Sequence, residues 1–145
     1  MPDTPFLAAA AVARLAPYGE LAQAMYEAHA RPGPGALTER IVYGPGDGSG
    51  QNFMALPAWL PGESIGIKLV TIFPENPSVG RPSVQAVVLL FDGVNGDLLA
   101  LFDGTELTYR KTAADSALGS RLRSRVDSKV LLMVGAGGLA RHLIA

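Results

Sequence analysis

A glycine-rich run near the C-terminus carries a recognisable chemical signal. Residues 135–140 read Gly-Ala-Gly-Gly-Leu-Ala, which fits the G-x-G-x-x-A turn that brings a helix N-terminus up to the pyrophosphate of a dinucleotide. The glycines alone are a weak signal, so the flanking residues decide. The continuous apolar run of residues 130–134 precedes them and predicts a buried strand, while Leu139, Leu143 and Ile144 predict an apolar helix start. The order strand, turn and helix therefore predicts a dinucleotide-binding turn.

Lys68 is a second residue whose type and position could do chemistry. It lies in the predicted strand 64–73, where alternation places it on one face with Gly66, Val70 and Ile72. A lysine on a mostly apolar strand face either extends its ammonium group to the rim of the sheet or binds an anion. The strand pattern alone slightly favours the first interpretation, in which the ammonium group reaches solvent at the rim of the sheet.

The composition excludes several other kinds of site. The chain has no cysteine, which excludes disulfides, thiolate chemistry and cysteine-ligated zinc. His29 and His142 show no metal-ligand spacing and are expected to be structural or surface residues, so no metal is predicted. The net charge of -1 and the pI of about 6.1 argue against a nucleic-acid partner. The basic run of residues 121–129 is interpreted as a solvated helix end and the loop after it.

The N-terminal residues and the apolar runs bear on the cellular location. The first residues lack the basic region of a signal peptide. No apolar run approaches the roughly 20 residues that span a bilayer. The sequence thus predicts a cytoplasmic protein with no membrane partner.

The N-terminal third of the chain is predicted to contain two helices, a short strand and a glycine-rich connection. Helices are predicted over residues 7–15 and 17–30, so residues 1–31 form a helical cap. A short strand over residues 40–43 follows. The next segment, residues 44–50, has glycine at every second position but lacks the Lys-Ser/Thr pair of a phosphate-binding P-loop. A flexible hairpin connection is the better interpretation.

The middle of the chain alternates strands and turns. Further strands are predicted over residues 52–59, 64–73, 83–92 and 98–102, with a loop at 74–82, a hairpin turn at 92–96 and a helix from 103 to about 122. The predicted fold class is α/β: a mixed or antiparallel sheet with helices at its sides, followed by the first strand and helix of a Rossmann fold. We assign residues 1–125 to a substrate-binding and dimerisation domain and residues 126–145 to the start of a cofactor domain.

The predicted cofactor domain is incomplete. The acidic residue expected roughly 20 positions after the glycines, which would bind the ribose, is absent, as are further strands. The chain is therefore interpreted as the N-terminal part of a larger NAD(P)-dependent enzyme, and alone it is not expected to catalyse that enzyme's reaction.

Several ordered motifs add a resemblance to a known family. They are Met54–Trp59, Ile67–Thr71, Phe73–Asn76, Gly80–Gln85, Val88–Asp92, Asp103–Thr108, Lys111–Ala117 and Val134–Gly137. In this order and spacing they resemble the ornithine cyclodeaminase/mu-crystallin family, most strongly from about residue 39 onward. The resemblance implies an N-terminal α/β domain that binds substrate and forms a homodimer, and a Rossmann domain that binds NAD(P)(H). It also implies substrates that are small amino acids, cyclic imines or keto acids.

The resemblance also implies roles for individual residues. The carboxylate of the substrate would be bound by Arg40 and Lys68, and Lys68 would also serve proton transfer. With the resemblance, anion binding becomes the favoured interpretation of Lys68. The cofactor would be contacted by Ser83, where many members have threonine, by Lys111, and by the turn residues Gly135, Gly137, Gly138 and Leu139.

Two departures from the family pattern bear on the substrate. Lys111 stands where the family has arginine, and lysine cannot form a bidentate fork. Arg110 could substitute, although a neighbouring helix position points about 100° away. Met54 stands where the ornithine cyclodeaminases carry glutamate, which disfavours a diamino acid. The family's catalytic aspartate would lie beyond residue 145.

Three functions are weighed against each other. The favoured function is reduction of a cyclic imino acid such as 1-pyrroline-2-carboxylate, that is, a ketimine reductase. The alternatives are an ornithine cyclodeaminase, which forms proline and ammonia, and a non-catalytic dimerisation or small-molecule-binding module. The sequence does not distinguish NAD from NADP.

Overall fold

The computed structural model describes residues 4–32 and 35–145. In chain order its strands are β1 Phe6–Leu7, β2 Leu37–Thr38, β3 Ile41–Tyr43, β4 Asn52–Leu60, β5 Ser64–Ile72, β6 Val84–Asp92 and β7 Leu98–Asp103. Its α-helices are α1 Ala9–Leu15, α2 Tyr18–Ala30, α3 Gly104–Arg123 and α4 Ala140–Leu143. No helix in this part of the chain is both long and apolar enough to cross a membrane.

The strands form one mixed sheet, which confirms the predicted fold class. The strand order is β1-β7-β6-β5-β4-β2, and β3 also pairs with β4. All pairs are antiparallel except β1 with β7. The long strands β4, β5 and β6 follow one another in both sequence and space; a short turn connects β4 to β5, and the longer loop of residues 73–83 connects β5 to β6. The glycine-rich segment 44–50 is the hairpin connection between β3 and β4, as predicted.

Helix α3 packs on the face of the sheet that carries Lys68. The helix begins at Gly104, after Asp103 caps it by accepting a hydrogen bond from the backbone N–H of Glu106. Helices α1 and α2 pack in turn against α3. Small residues of α3 permit this close approach, since Ala113 and Ala114 are buried at the contacts. The opposite face of the sheet exposes large apolar side chains, among them Phe53, Trp59 and Leu99.

The predicted strand over residues 130–134 is wrong. The structure forms no strand there, and Val130 and Val134 are about 90% and 89% exposed. No strand of the described residues lies beside this run, so its backbone has no partner for a ladder of hydrogen bonds. The helix predicted after the glycines does form, although it is short, and Ile144 is exposed beyond its end.

The N-terminal elements differ from the prediction in one detail. Leu7, where the first helix is predicted to begin, instead forms β1 together with Phe6. This strand runs parallel to β7, and α1 starts at Ala9. The pairing with β7 supplies backbone hydrogen bonds that a helix start would leave unmade. The loop of residues 74–82 contains the short 3-10 helix Asn76–Val79.

The contact between Gly104 and β6 provides a test of the packing. A Cβ atom on Gly104 would lie 2.7 Å from the backbone carbonyl carbon of Ala86 and 2.7 Å from the backbone nitrogen of Val87. We expect Gly104→Ala to lower the free energy of unfolding by about 1–3 kcal/mol, because α3 must move off the sheet. The matched control is Gly119→Ala, in the same helix with open space around it, which should raise stability by up to ~1 kcal/mol. Urea unfolding measures both, and equal midpoints would contradict the packing.

Candidate functional site

The sheet places the two predicted carboxylate-binding cations in one row. Leu56 pairs directly with Lys68, and Lys68 pairs with Val88. The register of β3 on β4 continues outward so that Arg40 lies level with Leu56. Residues directly opposite each other in antiparallel strands share a face. Arg40 and Lys68 therefore lie on the same face of the sheet, two strands or roughly 10 Å apart at the backbone.

Helix α3 closes a cavity over the Lys68 end of this row. The cavity has a volume of about 330 Å³ and is lined by Leu56, Lys68, Val88, Leu107, Thr108, Lys111 and Thr112. On the sheet side, apolar side chains surround the ammonium group of Lys68. On the helix side lie the ammonium group of Lys111 and the hydroxyl groups of Thr108 and Thr112. No acidic side chain is among these lining residues.

Lys68 has a neutral partner inside the cavity. Its Nζ atom lies 3.5 Å from Oγ1 of Thr108, a long hydrogen bond. The Thr108 hydroxyl donates to the backbone carbonyl of Gly104 at 2.6 Å, which leaves its oxygen to accept from the lysine. Burial lowers the pKa of Lys68 below its ordinary value, and the nearby charge of Lys111 lowers it further. Both causes disfavour the ammonium form, whereas an anion beside Lys68 would favour it.

Lys111 reaches the cavity from α3 while remaining in solvent. Its Nζ lies 2.8 Å from a carboxylate oxygen of Asp115, one helical turn further on, and the two side chains are 55% and 51% exposed. An exposed pair of this kind contributes little to stability. Lys111 can therefore leave Asp115 for another anion at small cost.

Arg40 faces solvent at the edge of the row. Its Nη2 atom lies 3.6 Å from the sulfur of Met54, a weak acceptor. No carboxylate among the described residues pairs with it. The structure thus places Arg40 on the same face as Lys68, although it does not bring Arg40 into the lining of the cavity.

Arg110 cannot take the place of Lys111. Its Nε atom lies 2.7 Å from Glu106, its Nη1 donates to the backbone carbonyl of Ala16, and its guanidinium group lies 4.6 Å from the centre of the Tyr18 ring. These contacts fix Arg110 at the junction of α1 and α2, on a different side of α3 from the cavity.

Ser83 and the glycine turn lie away from the cavity. Ser83 stands five positions before Val88, or roughly 17 Å along an extended strand. In the glycine turn Gly135 has a φ of 99°, and a Cβ atom on Gly138 would lie 2.9 Å from the hydroxyl oxygen of Tyr109. The turn therefore rests on α3 at Tyr109, whereas the cavity uses Thr108 and Lys111 of the same helix.

Sequence reasoning missed Thr108, the nearest polar partner of Lys68. Its position three residues before Lys111 puts both on one face of α3. Helical spacing could therefore have identified Thr108 once Lys111 was singled out. Leu56 was missed for a different reason, since only the register between β4 and β5 places it opposite Lys68.

Comparison with known proteins settles the family. The pattern of the Ornithine cyclodeaminase/mu-crystallin family matches residues 3–144. The chain belongs to this family. It is 41% identical over 111 residues to the Delta(1)-pyrroline-2-carboxylate reductase of Paracoccus denitrificans, an alignment that covers 77% of this chain and 34% of that protein. The chain thus spans about a third of the length of this relative.

Two solved structures share the fold. An archaeal alanine dehydrogenase dimer with bound NAD superposes with a TM-score of 0.84 at 28% identity, covering 97% of this chain and 43% of that one. The Delta(1)-pyrroline-2-carboxylate reductase of Thermococcus litoralis, in complex with NADH and L-proline, has a TM-score of 0.73 at 27% identity and covers 86% of this chain and 39% of that one. Both comparisons confirm the architecture of the sheet and its helices.

The coupling between the two lysines can be tested directly. Removing the charge of Lys111 with Lys111→Gln should raise the pKa of Lys68, because one of the two causes that lower it is removed. The measurement is a pH titration of the lysine Cε resonances by NMR, which is simple because the lysines of the chain are Lys68, Lys111 and Lys129. Lys129→Gln, at an exposed position, is the control. A Lys68 titration that both variants leave unchanged would contradict the coupling.

Proposed function

We propose that this chain is the substrate-binding part of an NAD(P)-dependent reductase that acts on a cyclic imino acid such as 1-pyrroline-2-carboxylate. In this proposal residues 1–125 bind substrate and residues 126–145 begin the cofactor domain. The observation that carries the proposal is the cavity under α3. Lys68 and Lys111 both line it, the charge of Lys111 lowers the pKa of Lys68, and no lining residue is acidic.

A carboxylate is the ligand that best matches this charge pattern. The charge of Lys111 lowers the pKa of Lys68 even though Lys111 pairs with Asp115. An anion in the cavity would accept charge-assisted hydrogen bonds from both ammonium groups once Lys111 leaves Asp115. The Thr108 hydroxyl lies beside Lys68 and adds a neutral polar group. Arg40, on the same face and without a carboxylate partner among the described residues, is proposed as a further ligand of the same carboxylate.

The apolar walls favour a ring without a second charge. Leu56, Val88 and Leu107 line the cavity and offer nothing to an additional ammonium group. Met54 likewise presents a thioether near Arg40 where a carboxylate would be needed for a diamino acid. These side chains support a cyclic imino acid over ornithine, and so a reductase over a cyclodeaminase.

Reduction of a C=N bond needs a hydride at carbon and a proton at nitrogen. NAD(P)H supplies the hydride when bound. We propose that Lys68, as an ammonium group with a lowered pKa, holds the carboxylate and can deliver a proton to the ring nitrogen.

The cofactor contacts are proposed at Gly135, Gly137, Gly138 and Leu139, with Ser83 as a side-chain contact. Lys111, for which the resemblance implies a cofactor contact, is instead proposed for the carboxylate because it lines the cavity with Lys68. The positive φ of Gly135 and the lack of room for a Cβ atom at Gly138 suit a turn whose backbone must approach a phosphate closely. The structure separates Ser83 from the cavity, so its contact would be to the cofactor rather than to the carboxylate.

A homodimer is proposed for the complete protein. The face of the sheet away from α3 exposes Phe53, Trp59 and Leu99, and apolar side chains gathered on one face are typical of an interface. The archaeal relative that shares this fold is a dimer.

The role of Lys68 is tested by removing its charge. In the complete protein, Lys68→Gln should lower kcat/KM for 1-pyrroline-2-carboxylate by roughly 10³-fold or more, because it removes both a hydrogen bond to the carboxylate and the proposed proton donor. Oxidation of NADH and of NADPH is the measurement, and Lys129→Gln is the matched control. Unchanged kinetics in Lys68→Gln would remove this residue from the site, and no activity with the imino acid in the unaltered protein would overturn the reductase proposal.

The pH dependence of carboxylate binding provides an independent test on the chain itself. Binding of L-proline requires the protonated amine of Lys68, so affinity should fall as the pH rises through the pKa of this group. Because that pKa is lowered, the fall should begin below the ordinary lysine value of 10.5. Calorimetric titration measures it. A decline of the same shape in Lys68→Gln would assign the effect to another group.

A further inference from the structure

The side chain of His142 is buried where α4 meets the rest of the molecule. It is 7% exposed, and among the described residues it is the one polar side chain that is buried. Its ring stacks on the ring of Tyr109 with centroids 4.8 Å apart and planes inclined by 13°. Its Nδ1 atom lies 2.7 Å from the hydroxyl oxygen of Tyr18. His142 thus connects α4 to both α2 and α3.

The same helix turn ties His142 to the glycine turn. The backbone N–H of His142 donates to the carbonyl of Leu139, and that of Ala140 donates to the carbonyl of Gly137. Gly138 in turn rests on the hydroxyl group of Tyr109, the residue on which His142 stacks. Whatever fixes the His142 ring therefore fixes the glycine turn against α3.

The contacts of the ring identify its protonation state. Nε of Arg141 lies 3.2 Å from Nε2 of His142, and a guanidinium group can only donate. Nε2 must accept, so the ring proton lies on Nδ1 and is donated to the Tyr18 oxygen. A protonated ring would turn an N–H toward the N–H of Arg141 and lose this contact. The docked arrangement needs the neutral ring.

The surrounding charges agree with a neutral ring. Burial lowers the pKa of His142 below its ordinary value of 6.5; Glu106 opposes this, and Arg141 and Arg110 reinforce it. Glu106 is engaged by Arg110 at 2.7 Å, and Tyr18 and Tyr109 complete the enclosure. Since the docked ring binds a proton less readily than a free ring, acid favours the undocked arrangement.

We infer that neutral His142 is a positioning residue, which holds the glycine turn of residues 135–139 on α3, and that protonation of its ring releases the turn. Helix α3 also carries Thr108 and Lys111 of the cavity, so docking fixes the turn relative to the carboxylate site. The consequence for cofactor binding rests on the proposed function, whereas the docking itself does not.

The experiment is a pH titration of the isotope-labelled chain by NMR. His29 and His142 are the histidines of the sequence, so each ring gives its own titration curve. The amide resonances of Gly135, Gly137 and Gly138 should shift with the midpoint of His142, and that midpoint should lie below 6.5. Amide hydrogen exchange of Ala140 and His142, whose N–H groups donate to the carbonyls of Gly137 and Leu139, should accelerate below the midpoint by about fivefold to tenfold after correction for its intrinsic pH dependence, the factor that loss of one hydrogen bond produces.

Variants separate docking from general folding. Tyr18→Phe removes only the hydroxyl partner of Nδ1, and it should accelerate exchange of the turn at neutral pH. His142→Gln should do the same and abolish the pH step. The matched control is His29→Gln, at an exposed ring whose Nδ1 contacts the backbone carbonyl of Met25, and it should leave the turn unchanged. Glycine amides that ignore the His142 titration, or that respond equally to all three variants, would overturn the inference.

A titration with NADH keeps the two proposals distinguishable. Glycine amides that follow His142, together with a complete protein that binds no NADH, would support docking and count against the proposed cofactor site. Weaker NADH binding by His142→Gln than by His29→Gln, by several-fold, would support both. Equal NADH binding together with amides that ignore His142 would overturn the positioning role and leave the proposed function intact.

Discussion

The close approach of α3 to the sheet governs the arrangement of both sites. Gly104 brings the backbone of the first residue of α3 against the backbone of β6, and Thr105 strengthens the contact by accepting from the backbone N–H of Ala86 at 3.2 Å. With its start fixed in this way, the 3.6-residue repeat of the helix decides which side chains face the sheet. Thr108 and Lys111 come to lie above Lys68 as a result.

The two sides of α3 carry different chemistry. The side over the sheet holds Lys68 and Lys111 near an apolar wall, where burial and the charge of Lys111 lower the pKa of Lys68. The other side holds Tyr109, which stacks on His142 of α4, and Arg110, which lies over the Tyr18 ring of α2 and pairs with Glu106 within α3. A single helix thereby sets the distance between the cavity proposed for a carboxylate and the glycine turn proposed for a dinucleotide.

Local sequence signals predicted most of the strands and the long helix, because the forces behind them act within a few residues. Alternating residues predicted β5, a continuous apolar run predicted β6, glycines and the Asp92–Gly96 turn predicted the hairpins, and the Asp-Gly-Thr segment of residues 103–105 predicted the start of α3. The run of residues 130–134 shows the limit of such signals. Its apolar residues predict a strand, yet a strand exists only where another backbone lies beside it.

The sequence by itself determined the family, the α/β class, and the chemical character of Lys68 and of the glycine turn, since these follow from residue types at fixed spacing. It did not determine which groups meet. That Leu56 and Val88 flank Lys68, that Arg110 is engaged at Ala16, and that His142 stacks on Tyr109 were decided by the tertiary structure. These contacts join residues distant in the chain, and strand register and helix packing bring them together through long-range contacts that no local spacing encodes.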